Sequence, residues 1–262
     1  MKRNFLLACC LASLVSGAAV AATDVAPAAR LSAAQIVGRN VDARGGLAAW
    51  RAMSSMTLSG DMDAGGKHNS TLPFVLSMKR PNKTRLEIRF QDQTAVQVYD
   101  GTQGWKLRPF LGRNEAVAYT PAVAKLAAAA TDLDPPLIDY AAAGTKVELA
   151  GTDAVEGKSA YKLRLTKKSG EQLNLWVDAS SFLELKMDGE PRRMDGRMRK
   201  VAIFFRDYKQ VNGLTVPYVS ETVVDGVQGS HKMTLKTVAV NPPLEDALFA
   251  KPQLAVAQAP AH

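Results

Sequence analysis

Few residues of this chain could do chemistry, and their spacing argues against most of it. His68, His231 and His262 are the only histidines. None has another ligand two or four residues away, the spacing that lets one element present two donors to a zinc ion, so no metal site is expected. Both cysteines, Cys9 and Cys10, sit in the first ten residues, and no thiol is left elsewhere to act as a nucleophile. There is no Gly-x-Ser-x-Gly elbow. Gly60–Lys67 (GDMDAGGK) has glycines and a lysine but lacks the spacing and the following Ser or Thr of a phosphate loop. The carboxylates of Asp132 and Asp134 fall at a helix break, where a capping or turn role outweighs acid–base work. Neither an enzyme nor a cofactor is expected.

What the chain offers instead is patterned apolar surface. Between Leu72 and Phe110, Phe74, Leu76 and Met78 alternate with Val75, Ser77 and Lys79 as far as a turn at Arg80-Pro81-Asn82. Leu86, Ile88 and Phe90 then alternate with Arg85, Glu87 and Arg89, and Val96 and Val98 lead through Asp100-Gly101 to Trp105 and Leu107. A period of two gives each strand one apolar and one solvated face, and short connections make the strands an antiparallel meander. Phe74, Leu76, Met78, Leu86, Ile88, Phe90, Trp105 and Leu107 are therefore the candidate lining of one apolar face.

The elements around that meander can be read in order. Residues 1–22 have a basic start (Lys2, Arg3), an apolar run from Phe5 to Val15 and small residues around Ala19-Val20-Ala21, the pattern of a cleaved bacterial export signal. A lipoprotein box ending at Cys9 is disfavoured, because too few apolar residues precede it. The mature chain is expected to begin at Ala22 or Thr23 without a lipid, and to fold without disulfides. Subtracting Lys2 and Arg3 from 33 basic residues leaves 31 against 25 acidic ones, a net +6. These charges are scattered over polar strand faces with no stacking aromatics among them, which argues against nucleic acid and leaves peripheral contact with an anionic membrane open.

Ser32 is placed to cap a helix that Gly45-Gly46 ends, with a second short helix over Leu47–Met53 and a first strand over Met56–Met62. Thr120-Pro121 opens an alanine-rich helix, interrupted at residues 132–136 and resumed over Leu137–Ala143. Its small side chains suit a cover that seals an apolar surface without filling it. Strands return from Val147, and five Asx-Gly pairs (100–101, 188–189, 195–196, 212–213 and 225–226) signal hairpins. The expected architecture is mainly β: an incomplete antiparallel barrel of about ten or eleven strands, with helices covering an apolar cavity. One domain is expected over 23–252, with a flexible tail over 253–262.

Two segments carry a family resemblance. Met78–Glu87 (MKRPNKTRLE) resembles the strand–RPN–strand hairpin of LolA-type lipoprotein carriers, and Tyr99–Trp105 (YDGTQGW) resembles the hairpin that follows it there. The order of the remaining elements is also similar. The resemblance implies a periplasmic carrier of a Gram-negative envelope. Such a carrier takes acyl chains of a lipoprotein from an inner-membrane transporter and passes them to an outer-membrane acceptor. It also implies that Arg80 faces the cover and helps control its opening, and that Trp105 points inward. The guanidinium of Arg80 is expected to reach backbone carbonyls of the cover helix. Asn82-Lys83-Thr84 replaces the more apolar residues common in that family, which leaves the cargo open: a lipoprotein, or a free lipid. A lipid-sensing module of the envelope is the alternative from another class.

Overall fold

The computed structural model describes residues 31–63, 71–130 and 133–254. The expected export signal with Cys9, the loop containing His68, Asp132, and the tail beyond Leu254 lie outside the described residues. The unit Ser32–His262 holds all the helices and strands of the described residues.

Two helices come first, α1 (Ala33–Ala43) and α2 (Leu47–Ala52). Ser32 caps α1 in a full capping box: its hydroxyl accepts from the Gln35 amide, and the Gln35 side chain accepts from the Ser32 amide. Six strands follow: β1 (Ser55–Asp63), β2 (Thr71–Lys79), β3 (Lys83–Phe90), β4 (Gln93–Tyr99), β5 (Gly104–Arg108) and β6 (Arg113–Ala118). After helix α3 (Pro121–Ala130) come β7 (Lys146–Val155), β8 (Lys158–Thr166), β9 (Gln172–Asp178), β10 (Glu184–Met194), β11 (Arg197–Val211), β12 (Leu214–Val224) and β13 (Ser230–Val240). A 3-10 turn at Asp246–Phe249 closes the fold.

All 13 strands form one antiparallel sheet in the order β6-β5-β4-β3-β2-β1-β13-β12-β11-β10-β9-β8-β7. Every neighbour is the next strand in sequence except at the β1–β13 seam. The edge strands β6 and β7 do not pair, so the barrel is incomplete, as expected. The segment joining them, residues 119–145, carries α3 from one open edge to the other.

Turn chemistry accounts for several of the hairpins. At Asp195-Gly196 and Asn212-Gly213 both residues have positive φ, the requirement of a two-residue hairpin turn that matches strand twist. Glu156-Gly157 makes the same kind of turn, although Glu gives no such signal in sequence. Asp188-Gly189 departs from expectation, because it lies inside β10 rather than in a turn. Its aspartate accepts from Asn174 across the neighbouring strand, and its glycine faces Val201 so closely that a Cβ would stand 2.7 Å from Val201 Cγ1. Leu137–Ala143, expected as helix, forms successive turns.

One face of the sheet, the inner face, is covered by the helices. Trp50 and Met53 of the α2 region, Leu133 and Ile138 of the connecting segment, and Met56, Leu214 and Val216 from the sheet form a buried cluster there. The outer face has its own cover. Phe249 is fully buried against Val96, Val98 and Leu107, with Leu244, Leu248 and Trp105 packed around them.

Candidate functional site

Strand register decides which side chains share the inner face, because directly opposed residues of an antiparallel pair point the same way. Leu58, Leu76 and Leu86 lie in one row across β1, β2 and β3, Met56 opposes Met78, and Phe74 opposes Ile88. Of these, Phe74 is buried, whereas Leu58, Leu76, Met78, Leu86 and Ile88 stay partly exposed. Phe90 is at the far end of β3, 37% exposed, with its ring edge-on to Phe110 at 5.8 Å.

Trp105 and Leu107 are elsewhere. Phe90 opposes Gln93, so Leu86 opposes Gln97, and Val96 and Val98 point outward with Glu87 and Arg85. Val98 opposes Trp105 and Val96 opposes Leu107. Both residues therefore belong to the outer face beneath Phe249, a correction to their expected inward placement. The signal was present in the sequence: the two-residue turn at Gln91-Asp92 switches odd and even positions between β3 and β4.

Two cavities reach the inner face, and the larger is lined from the outer face as well. The smaller, about 210 Å³, lies under Trp50 and the 133–136 segment and is lined by Met56, Leu58, Met78, Leu175 and Phe205. At its floor Arg44 and Glu184, both nearly inaccessible, stand 3.4 Å apart. The Arg44 guanidinium stacks between Trp50 and Tyr208, 5.3 and 5.4 Å from their ring centres. The Tyr208 hydroxyl donates to the Glu184 carboxylate and backbone carbonyl, and burial, reinforced by that carboxylate, pushes the phenol far above its usual range. The charges are thus paired where burial would otherwise cost several kcal/mol.

The larger cavity, about 970 Å³, lies over β9, β10 and β11, with Leu126 of α3 opposite Leu173, Met187 and Ile203. Leu173 and Leu175 are two residues apart on β9, as are Ile203 and Phe205 on β11, so the apolar linings of the two cavities are stretches of one face. The larger is of the size that takes a drug-sized or lipid-sized ligand; the smaller alone is not. Apolar strand spacing pointed to β2, β3 and β5 for the lining. Of the eight residues expected to line a cavity, Met78 lines the smaller one and none lines the larger. The signal for the β9–β11 wall was present in the sequence, since Leu173, Leu175 and Val177 alternate with Asn174, Trp176 and Asp178 along β9.

The cover is anchored unevenly. Arg80, whose peptide bond to Pro81 is cis, donates from both terminal nitrogens to the two carboxylate oxygens of Asp134, at 2.8 and 2.6 Å. Its Nε donates to the Met53 carbonyl at 2.7 Å, and Nη2 also donates to the Trp50 carbonyl at 3.1 Å. The expected partners were carbonyls of the cover helix; the structure shows an aspartate after it and carbonyls at the end of α2. Arg51 adds a second forked pair with Asp139. Leu133, Leu137 and Ile138 are buried beside these ties, whereas Leu126 of α3 is half exposed. Among the described residues, no three His, Cys, Asp or Glu side chains are grouped to hold a metal, and no helix is long and apolar enough to cross a membrane.

No family model matches the sequence, and no curated protein matches it. Similarity lies in the fold. A LolA superfamily protein of Nitrosomonas europaea superposes with a TM-score of 0.55 at 14% identity, over 85% of this chain and 99% of that one. An outer membrane lipoprotein-sorting protein domain of Vibrio parahaemolyticus gives 0.54 at 12% identity, over 82% and 95%. A DUF1329 family protein of Desulfovibrio piger gives 0.55 at 15% identity, over 83% and 97%. The resemblance in the RPN and DG…W hairpins thus agrees with a LolA-like fold across the chain.

Proposed function

We infer from this LolA-like fold that the protein is a non-enzymatic carrier that holds acyl chains on the inner face of its sheet. The observation that carries the reading is the state of that face: Leu58, Leu76, Leu86 and Ile88 form contiguous apolar rows that the helices leave partly exposed. A sheet filled for stability alone would bury them. Each methylene placed there contributes about 0.8 kcal/mol, so a long chain is retained without a polar contact. Release then needs a cover that opens, and the 119–145 segment, hinged beside the ties of Arg80 and Arg51, supplies it. In this reading the protein works in the periplasm, loads at an inner-membrane transporter and unloads at an outer-membrane acceptor, with a lipoprotein or a free lipid as cargo.

The test is direct. The purified protein, stripped of co-purifying lipid, is titrated with a fluorescent long-chain fatty acid. The reading expects saturable binding that Leu76→Ser and Leu86→Ser weaken by roughly tenfold or more, since each swaps a chain-contacting apolar group for a hydroxyl. Absence of binding by the wild-type protein would overturn it.

A further inference from the structure

The wall between β9 and β10 is not continuous. Their ladder pairs Glu184 with Val177, Lys186 with Trp176 and Met187 with Leu175, and ends there. Yet β9 extends back to Gln172 and β10 on to Met194. Beyond Met187, among the described residues, the bridge is a side chain: Asp188 Oδ2 accepts from the Asn174 amide at 3.0 Å and from its Nδ2 at 2.7 Å. The large cavity lies at this gap and is lined from both sides of the sheet. Leu173, Met187 and Ile203 belong to the inner face. Trp176, which opposes Lys162 and Lys186 directly, belongs to the outer one.

Four lysines gather at the outer mouth. Lys162, Lys167, Lys186 and Lys200 line the cavity with Glu171, Asp188 and Glu190. Glu171 is paired with Lys167 at 3.1 Å, while Asp188 is turned to Asn174 and, like Glu190, keeps its charge. Asp153, near Lys162 and Lys186, accepts from Trp176 Nε1 at 3.0 Å. The ammonium groups of Lys162 and Lys186 stand 5.1 and 4.3 Å from the Trp176 ring centre. No ion pair holds Lys162, Lys186 or Lys200 among the described residues. Gly189 lets Val201 pack closely against β10, since a Cβ there would stand 2.7 Å from Val201 Cγ1.

We propose that this gap is a side portal for an anionic amphiphile, whose alkyl chain lies on the inner face while its phosphate or carboxylate head sits outside on Lys162, Lys186 and Lys200. The proposal rests on the acyl-binding reading and adds the chemistry of the head group and the place where it leaves the sheet. At this break in the ladder the apolar face and the three lysines meet through the wall, and an ion at the mouth keeps most of its hydration, so its attraction to the lysines is not offset by burial.

The test compares three twelve-carbon probes below their critical micelle concentrations: dodecyl phosphate, laurate and an uncharged dodecyl ether of polyethylene glycol. Each is titrated calorimetrically into the wild-type protein and into the triple variant Lys162→Gln/Lys186→Gln/Lys200→Gln. The wild type is expected to bind at least one anion about tenfold or more tighter than the neutral probe, and the better anion distinguishes a phosphate head from a carboxylate. The triple variant is expected to lose that preference while keeping its affinity for the neutral probe. Equal binding of charged and neutral probes by the wild type, or a preference that survives in the variant, overturns the portal alone. Failure of the wild type to bind any of the three overturns the acyl-binding reading as well.

Discussion

At the scale of single residues, two leucines on the two faces of the sheet should behave in opposite ways. Leu107 is 2% exposed on the outer face, packed with Val96 and Phe249, so Leu107→Ala should cost about 2–5 kcal/mol of stability and leave acyl binding unchanged. Leu86 is only partly buried on the inner face, so Leu86→Ala should cost much less stability and weaken binding more. Denaturant melts and probe titrations of both variants check the pair. Arg80 makes a different prediction. Its fork to Asp134 is partly exposed, at 31% and 18% for the two side chains, so about 1–2 kcal/mol is a reasonable worth. Arg80→Leu should leave the sheet intact and raise the opening of residues 133–143 by roughly tenfold, read by hydrogen exchange. Unchanged protection there would reduce Arg80 to a turn residue.

At the scale of elements, the helices are keyed to the sheet by backbone. The Arg44 carbonyl at the end of α1 accepts from the Thr215 amide of β12 and from Trp50 Nε1, both at 3.0 Å. Gly45 makes this approach feasible: it has φ +108°, and a Cβ there would stand 2.1 Å from the Gly213 carbonyl oxygen. Gly46 also has positive φ, +88°, but nothing within 4 Å of such a Cβ. Gly46→Ala should therefore cost only the backbone penalty, about 1–3 kcal/mol, and Gly45→Ala clearly more; thermal melts distinguish them. Such contacts are invisible in sequence, where both glycines read simply as a helix stop. The elements themselves were legible wherever one face is polar, as in β3, whose Arg85, Glu87 and Arg89 alternate with Leu86, Ile88 and Phe90. They were not legible where both faces are covered. Phe249, fully buried, stands in a short segment without periodicity, and nothing near it in sequence announces that the outer face of β4 and β5 needs a lid.

At the scale of the whole molecule, acid should unfold the protein through a few anchored carboxylates. The Ser230 hydroxyl and Arg206 hold Glu221 below its ordinary range, although burial opposes them. Burial alone would raise Asp178, but bonds from Ser180 and Ser181 outweigh it and leave it low. The unfolded chain therefore takes up these protons first. Their contribution is complete above the ordinary carboxylate range, near pH 4, and is lost as pH falls through the lower folded values. Unfolding midpoints should thus decline below about pH 4, and less steeply in Glu221→Gln.

The strand order of the sheet, two sequential meanders meeting at one seam, has a kinetic consequence. Within each meander partners are close along the chain, but at the seam Met56 must find Val240 and Leu58 must find Val238. Closing so long a loop costs entropy before any contact repays it, so hairpins on either side should form early and wait for the seam. Leu163→Ala, within the early β8 hairpins, should then slow folding, whereas Val238→Ala, at the late seam, should mainly hasten unfolding. In stopped-flow chevrons the two variants would shift opposite arms, and the sheet would prove to be assembled as two independently zipped ribbons joined in a single late stitch.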